Sequence, residues 1–157
     1  MADLEDKLKQ AQEQRNRIIV TDAVFSMDGN VTQFDKIVEL AEKYDALVML
    51  DECHSAGVVG KTGKGVTELF NMKGKADVIT GTLGKAFGGA MGGFTTGRKE
   101  IVDLLRQRSR PYLFSNSLPP MIVNASIRAF EMLEESNELI NKLWDNTRYF
   151  KDEIVKA

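Results

Sequence analysis

The stretch Ala46-Leu47-Val48-Met49-Leu50-Asp51-Glu52-Cys53-His54 decides the fold. Five apolar residues in a row, closed by two acids, are the pattern of a parallel strand covered on both faces. A buried strand is therefore expected over residues 46–50, with its polar continuation emerging at a sheet edge. Upstream, Phe34, Ile37, Val38, Ala41 and Tyr44 recur at helical spacing, behind a Thr32/Asp35 pair that predicts a capping box. Before them, Arg17 to Val20 predicts a short buried strand feeding a loop at 21–30. Residues 4–16 predict a polar amphipathic helix with Leu4, Leu8 and Ala11 on one side.

Downstream, the Gly-rich residues 57–65 read as a loop. Asp77 to Thr80 and Gly92 to Thr96 predict two more strands, and residues 101–108 a helix. An extended segment is expected at 110–118, after which Pro119 and Pro120 sit where a helix begins. Met121, Ile122, Ala125, Ala129, Met132 and Leu133 mark its face, and a last helix carries Leu139, Ile140, Leu143, Trp144, Thr147, Phe150 and Ile154. Helices alternating with buried strands specify an α/β fold, with a parallel or mixed sheet of about four strands.

The balance of 21 Lys+Arg against 23 Asp+Glu gives a net charge of -2 and excludes the broad basic face of a nucleic-acid binder. A chain of 157 residues suits one domain with a real core. One cysteine excludes an internal disulfide framework and suits a reducing compartment. No apolar run reaches the roughly 18 residues of a membrane span, and the acidic N-terminus is unlike a targeting peptide. The expectation is a cytoplasmic protein with no nucleic-acid and no membrane partner.

Ligands of parallel sheets gather at the C-terminal ends of strands. Three polar clusters are expected there: Ser26-Met27-Asp28-Gly29, Asp51-Glu52-Cys53-His54 and Thr82-Leu83-Gly84-Lys85. No second Cys or His is present to complete a zinc shell, so no metal is expected. A Walker loop ending at Gly60-Lys61-Thr62 would need Gly where Ser55 stands, and Gly84-Lys85 is followed by Ala86. Adjacent Cys53 and His54 rarely reach each other, so an inert cysteine is the simpler reading. Asp51 alone could be a cap or an ion pair, and His54 a structural histidine. Lys85 is harder to dismiss. It lies between Gly84 and Ala86, ahead of Phe87-Gly88-Gly89, a setting that admits a flat ligand to an amine. Amines of this kind form imines with aldehydes.

In that order, and followed by Phe114-Ser115-Asn116-Ser117-Leu118-Pro119-Pro120, these motifs resemble those of the α-oxoamine synthases. These are pyridoxal 5′-phosphate enzymes of the aspartate aminotransferase fold. The resemblance runs from about Ile19 to the end, and residues 106–120 are most similar to members that condense glycine with acetyl-coenzyme A.

The resemblance implies a role for each matched residue. Lys85 holds the cofactor as an imine and moves the glycine α-proton; Asp51 pairs with the pyridine nitrogen; His54 and Ser26 bond the phenolic oxygen; Thr82 binds the phosphate. Ser115 and Asn116 reach a neighbour's cofactor, which implies a homodimer with shared active sites. It also implies that residues 1–134 form the lysine-bearing part of the cofactor-binding large domain, and residues 135–157 the start of a smaller C-terminal domain. Full members are longer, with a ring-stacking imidazole and a phosphate loop on one side and a substrate-binding arginine on the other. The isolated chain is therefore expected to self-associate, to bind cofactor weakly or not at all, and to transfer no measurable acetyl. Relatives acting on other amino acids or longer acyl chains share the lysine, aspartate and histidine and stay open. A non-catalytic domain that merely self-associates stays open too.

Overall fold

The computed structural model describes residues 1–156. Its sheet consists of β1 (Ile18–Asp22), β2 (Leu47–Asp51), β3 (Val78–Thr82) and β4 (Gly93–Gly97), in that spatial order. The first three strands are parallel and β4 runs antiparallel to β3, so the sheet is mostly parallel, as expected. Helices α1 (Ala2–Gln10), α2 (Phe34–Lys43), α3 (Val66–Leu69), α4 (Lys99–Arg108), α5 (Arg110–Phe114), α6 (Pro120–Glu135) and α7 (Glu138–Ile154) surround it. Among the described residues no helix is long and apolar enough to cross a membrane.

The periodicity of each element dictates what it buries. Phe34, Ile37, Val38 and Ala41 of α2 form one core cluster with Ile19, Val48 and Leu50, while Leu8 anchors α1 to it. Further along the sheet, Phe94 of β4 meets Phe130 of α6 edge-on at 5.7 Å, and Phe130 packs at a tilt against Phe87 at 4.4 Å. An edge-on aromatic pair contributes beyond the area it buries. On the other face, α4 and α5 border a groove over β3 and β4. Over β1 that face is bare, with Ile18 54% and Val20 62% exposed.

Several expectations are corrected. The strand at 17–20 is buried on one face only, because the element covering residues such as Ile19 has no counterpart above Val20. The N-terminal helix stops at Gln10 instead of running to residue 16. Past Ala11 it has no apolar side left to bury, and the Arg17 guanidinium bonds the carbonyls of Gln14 at 3.0 Å and Tyr44 at 2.8 Å. The capping box does not form: Gln33 is the N-cap, with no side-chain cap bond. Thr32 instead donates its N–H to the Ala23 carbonyl at 3.0 Å. The segment expected to be extended at 110–118 opens with the short helix α5, since Pro111 fits the first turn of a helix. Strand β3 reaches Thr82, two residues beyond the expected end.

Candidate active site

Asp51 closes β2, where it pairs in register with Asp22 of β1 and Thr80 of β3. Its Oδ1 accepts the Cys53 N–H at 2.8 Å, and its Oδ2 accepts the Thr80 hydroxyl at 2.9 Å. Partial burial pushes this carboxyl up, but the Cys53 thiol and N–H, the Thr80 hydroxyl and the Lys85 charge outweigh it and hold Asp51 below its ordinary value. Asp51 is therefore a carboxylate at neutral pH. Cys53 moves the other way: burial, then the bond to Asp51 and its charge, push the thiol up to about 11. At neutral pH it is a poor nucleophile, as the simpler sequence reading had it.

Alternation along the strand end sends Glu52 inward. Only 2% exposed, it accepts the Ser55 hydroxyl and the N–H groups of Val66 at 3.0 Å and Thr67 at 3.3 Å, so it caps α3. His54 then turns out to solvent, and its Nε2 lies 2.8 Å from Lys85 Nζ, which is also exposed. Lys85 rides on a loop closed by backbone bonds from Leu83 N to Gly92 O at 2.9 Å and from Gly89 N to Leu83 O at 2.6 Å. Thr82 accepts the Gly84 N–H and donates to Gly92 O, both at 3.2 Å.

The site residues named from sequence thus fall into two sets. Asp51, His54, Thr82 and Lys85 share the ends of β2 and β3 and the turns that follow them. Ser26 sits in an exposed turn after β1, and Ser115 and Asn116 in the exposed link between α5 and α6. Among the described residues no side-chain hydrogen bond joins these three to the first set. Thr80 escapes the sequence reading, and Glu52, present there only as part of its polar cluster, has no role assigned by it. The available signal for Thr80 was its place in Asp77-Val78-Ile79-Thr80, matching that of Asp51 on the preceding strand. Beside Asp51, the groove bordered by Thr95, Val102, Leu105, Arg106 and Tyr112 encloses about 680 Å³.

A solvent-reachable amine, an imidazole touching it and a fixed carboxylate suit an aldehyde-bearing ligand with a basic ring nitrogen. The donor set fits pyridoxal phosphate.

Comparison with known proteins agrees. The whole chain, residues 1–157, matches the family described as Aminotransferase class I and II. The 2-amino-3-ketobutyrate coenzyme A ligase of Salmonella typhimurium is 54% identical over 100% of this chain, and the mitochondrial enzyme of that name from Mus musculus 51%. An 8-amino-7-oxononanoate synthase of Thermosipho melanesiensis is 49% identical over 98% of the chain. The chain spans about 40% of the length of these relatives. Among solved structures, serine palmitoyltransferase from S. paucimobilis with PLP–myriocin bound superposes with a TM-score of 0.87 at 32% identity, over 94% of this chain and 38% of that one.

Proposed function

The chain belongs to the aminotransferase class I and II family, whose members similar to it are pyridoxal-phosphate enzymes, and from that premise we propose a pyridoxal 5′-phosphate-dependent acyl transfer. In it glycine condenses with acetyl-coenzyme A, giving 2-amino-3-oxobutanoate and free coenzyme A. The observation that carries the chemistry is Lys85 at 2.8 Å from His54, beside an Asp51 held ionised. The choice of acyl group rests on the 54% identity to 2-amino-3-ketobutyrate coenzyme A ligase.

When bound, the cofactor supplies an aldehyde carbon that condenses with amines and a ring that draws electrons from the substrate's α-carbon. Lys85 is the amine that engages it and the base that moves the glycine α-proton. Asp51 keeps a negative charge toward the ring nitrogen, so that the nitrogen stays protonated. His54 touches Lys85 and, with Ser26, orients the ring through its phenolic oxygen. Thr82 offers its hydroxyl to the phosphate, while Ser115 and Asn116 serve the second subunit of a homodimer. Residues 1–134 make up the lysine-bearing part of the large domain and 135–157 the start of the smaller one. A cytoplasmic setting in threonine and glycine metabolism suits these substrates. Lys85 and His54 stand open to water, which weakens electrostatic catalysis, so the isolated chain transfers acetyl slowly or not at all.

Proton exchange is the sharper assay. In D2O with pyridoxal phosphate, the glycine α-proton signal should decay by NMR with the native chain and persist with Lys85→Ala. Equal decay with both would contradict the assignment. The runner-up, an 8-amino-7-oxononanoate synthase type, is favoured by the 49% identical relative. It predicts that alanine exchanges faster than glycine.

A further inference from the structure

The Asp51 carboxylate is held from both sides by groups that take no part in the reaction proposed above. Thr80 donates its hydroxyl to Oδ2 at 2.9 Å, and the Cys53 backbone N–H reaches Oδ1 at 2.8 Å. Asp51 and Thr80 are register partners on parallel neighbours, so their side chains leave the same face of the sheet. Threonine is β-branched and stiff at χ1, so the register itself sets where its hydroxyl stands. An ionised carboxylate has about four acceptor positions, and these two bonds together with the Cys53 thiol leave one unused.

We propose that Thr80 is a positioning residue for Asp51, its hydroxyl fixing the carboxylate in one orientation with a lone pair left for a cationic ring nitrogen. The ring nitrogen rests on the functional reading above; the clamp on Asp51 does not. A hydrogen bond to a charged acceptor is about twice as strong as one between neutral groups, so Thr80 also favours the ionised form. Other charged or titratable groups face the same carboxylate. Asp22 opposes it from β1, the Cys53 thiol follows it in the turn after β2, and the Lys85 charge acts on it from the β3–β4 loop. Arg106 and Tyr112 share its groove.

Carbon-13 NMR of the Asp51 carboxyl, titrated without cofactor in the native chain, Thr80→Val and Thr80→Ser, separates these contributions. Valine matches threonine in shape and favours strands, so the sheet is retained and the amide spectrum checks it. The expected result is a higher Asp51 midpoint in Thr80→Val and a native midpoint in Thr80→Ser. Saturation of the visible pyridoxal phosphate band should also need about tenfold more cofactor in Thr80→Val, the loss of one charge-assisted bond. A native midpoint in Thr80→Val, or an equal rise in both variants, would overturn the proposal. Should Thr80→Val misfold, Thr80→Ala against Thr80→Ser reads the same contrast. A raised midpoint in a chain without Lys85-dependent cofactor binding would uphold the clamp and sink the functional reading instead.

Discussion

Lys85 Nζ lies 2.8 Å from His54 Nε2, although 31 residues separate them in the chain. The contact is a product of topology. Strands β2 and β3 run parallel and adjacent, so the turns that follow them emerge at the same sheet edge. The imidazole arrives three residues after Asp51 and the amine three residues after Thr82. An amine and an imidazole sharing one hydrogen bond can pass a proton between them, the exchange that the role proposed for Lys85 requires.

The cysteine beside this pair should be slow. With the Cys53 thiol pushed up from 9.0 to about 11, its thiolate fraction at neutral pH falls roughly a hundredfold. Alkylation of the folded chain should accelerate as pH rises toward 11, and denaturation should release it at pH 8. Because the folded value lies above the unfolded one, the stability tied to this thiol is whole below pH 9 and lost as pH rises through about 11. Asp51→Asn removes the charge that helps hold the proton, so it should speed alkylation. Equal rates in folded and unfolded chains would contradict this.

Gly65 should tolerate no side chain. Its φ of 86° and ψ of -164° lie in a region open essentially to glycine, and a Cβ there would run into the Glu52 carboxylate. Gly65→Ala should cost about 2–4 kcal/mol, combining backbone strain with the displaced bonds from Val66 and Thr67. Urea denaturation checks it, and a loss under about 0.5 kcal/mol, the scale of a neutral surface change, would contradict it.

Core and bare face should respond differently. Phe34 is fully buried in the main cluster, so Phe34→Ala should cost about 3–5 kcal/mol. Val20 stands 62% exposed, so Val20→Ala should stay within about 0.5 kcal/mol. Comparable losses at both positions would mean that the β1 face is covered in solution.

Self-association should be visible. Phe114, next to Ser115 and Asn116, is 79% exposed, and Tyr112 and Leu113 beside it are exposed as well, an apolar patch at the end of α5. Light scattering should report species larger than a monomer that dissociate on dilution. A clean monomer at high concentration would count against a subunit contact there.

Much of this arrangement was legible in the sequence. The run at 46–50 fixed a strand ending on Asp51, and the Gly-Lys-Ala setting of Lys85 singled out a lysine worth explaining. What escaped depends on contacts between segments distant in the chain. Thr32 has the chemistry of a cap, but the backbone bond to Ala23 claims it one residue too early. Residues 110–114 lack a clear apolar period, so a helix seated beside α4 could not be told from an extended link. Thr80 becomes meaningful only once the β2–β3 register sets it opposite Asp51.

The central claim is that Lys85, of all the lysines in the chain, is the one that engages pyridoxal phosphate. Incubating the chain with the cofactor, reducing with borohydride and mapping peptides by mass spectrometry reads this directly, even where binding is weak. The pyridoxyl mass should concentrate on Lys85, and in Lys85→Ala it should fall to the level of scattered surface lysines. A label spread evenly over lysines such as Lys9, Lys43 and Lys99, with Lys85 unmodified, would contradict the account.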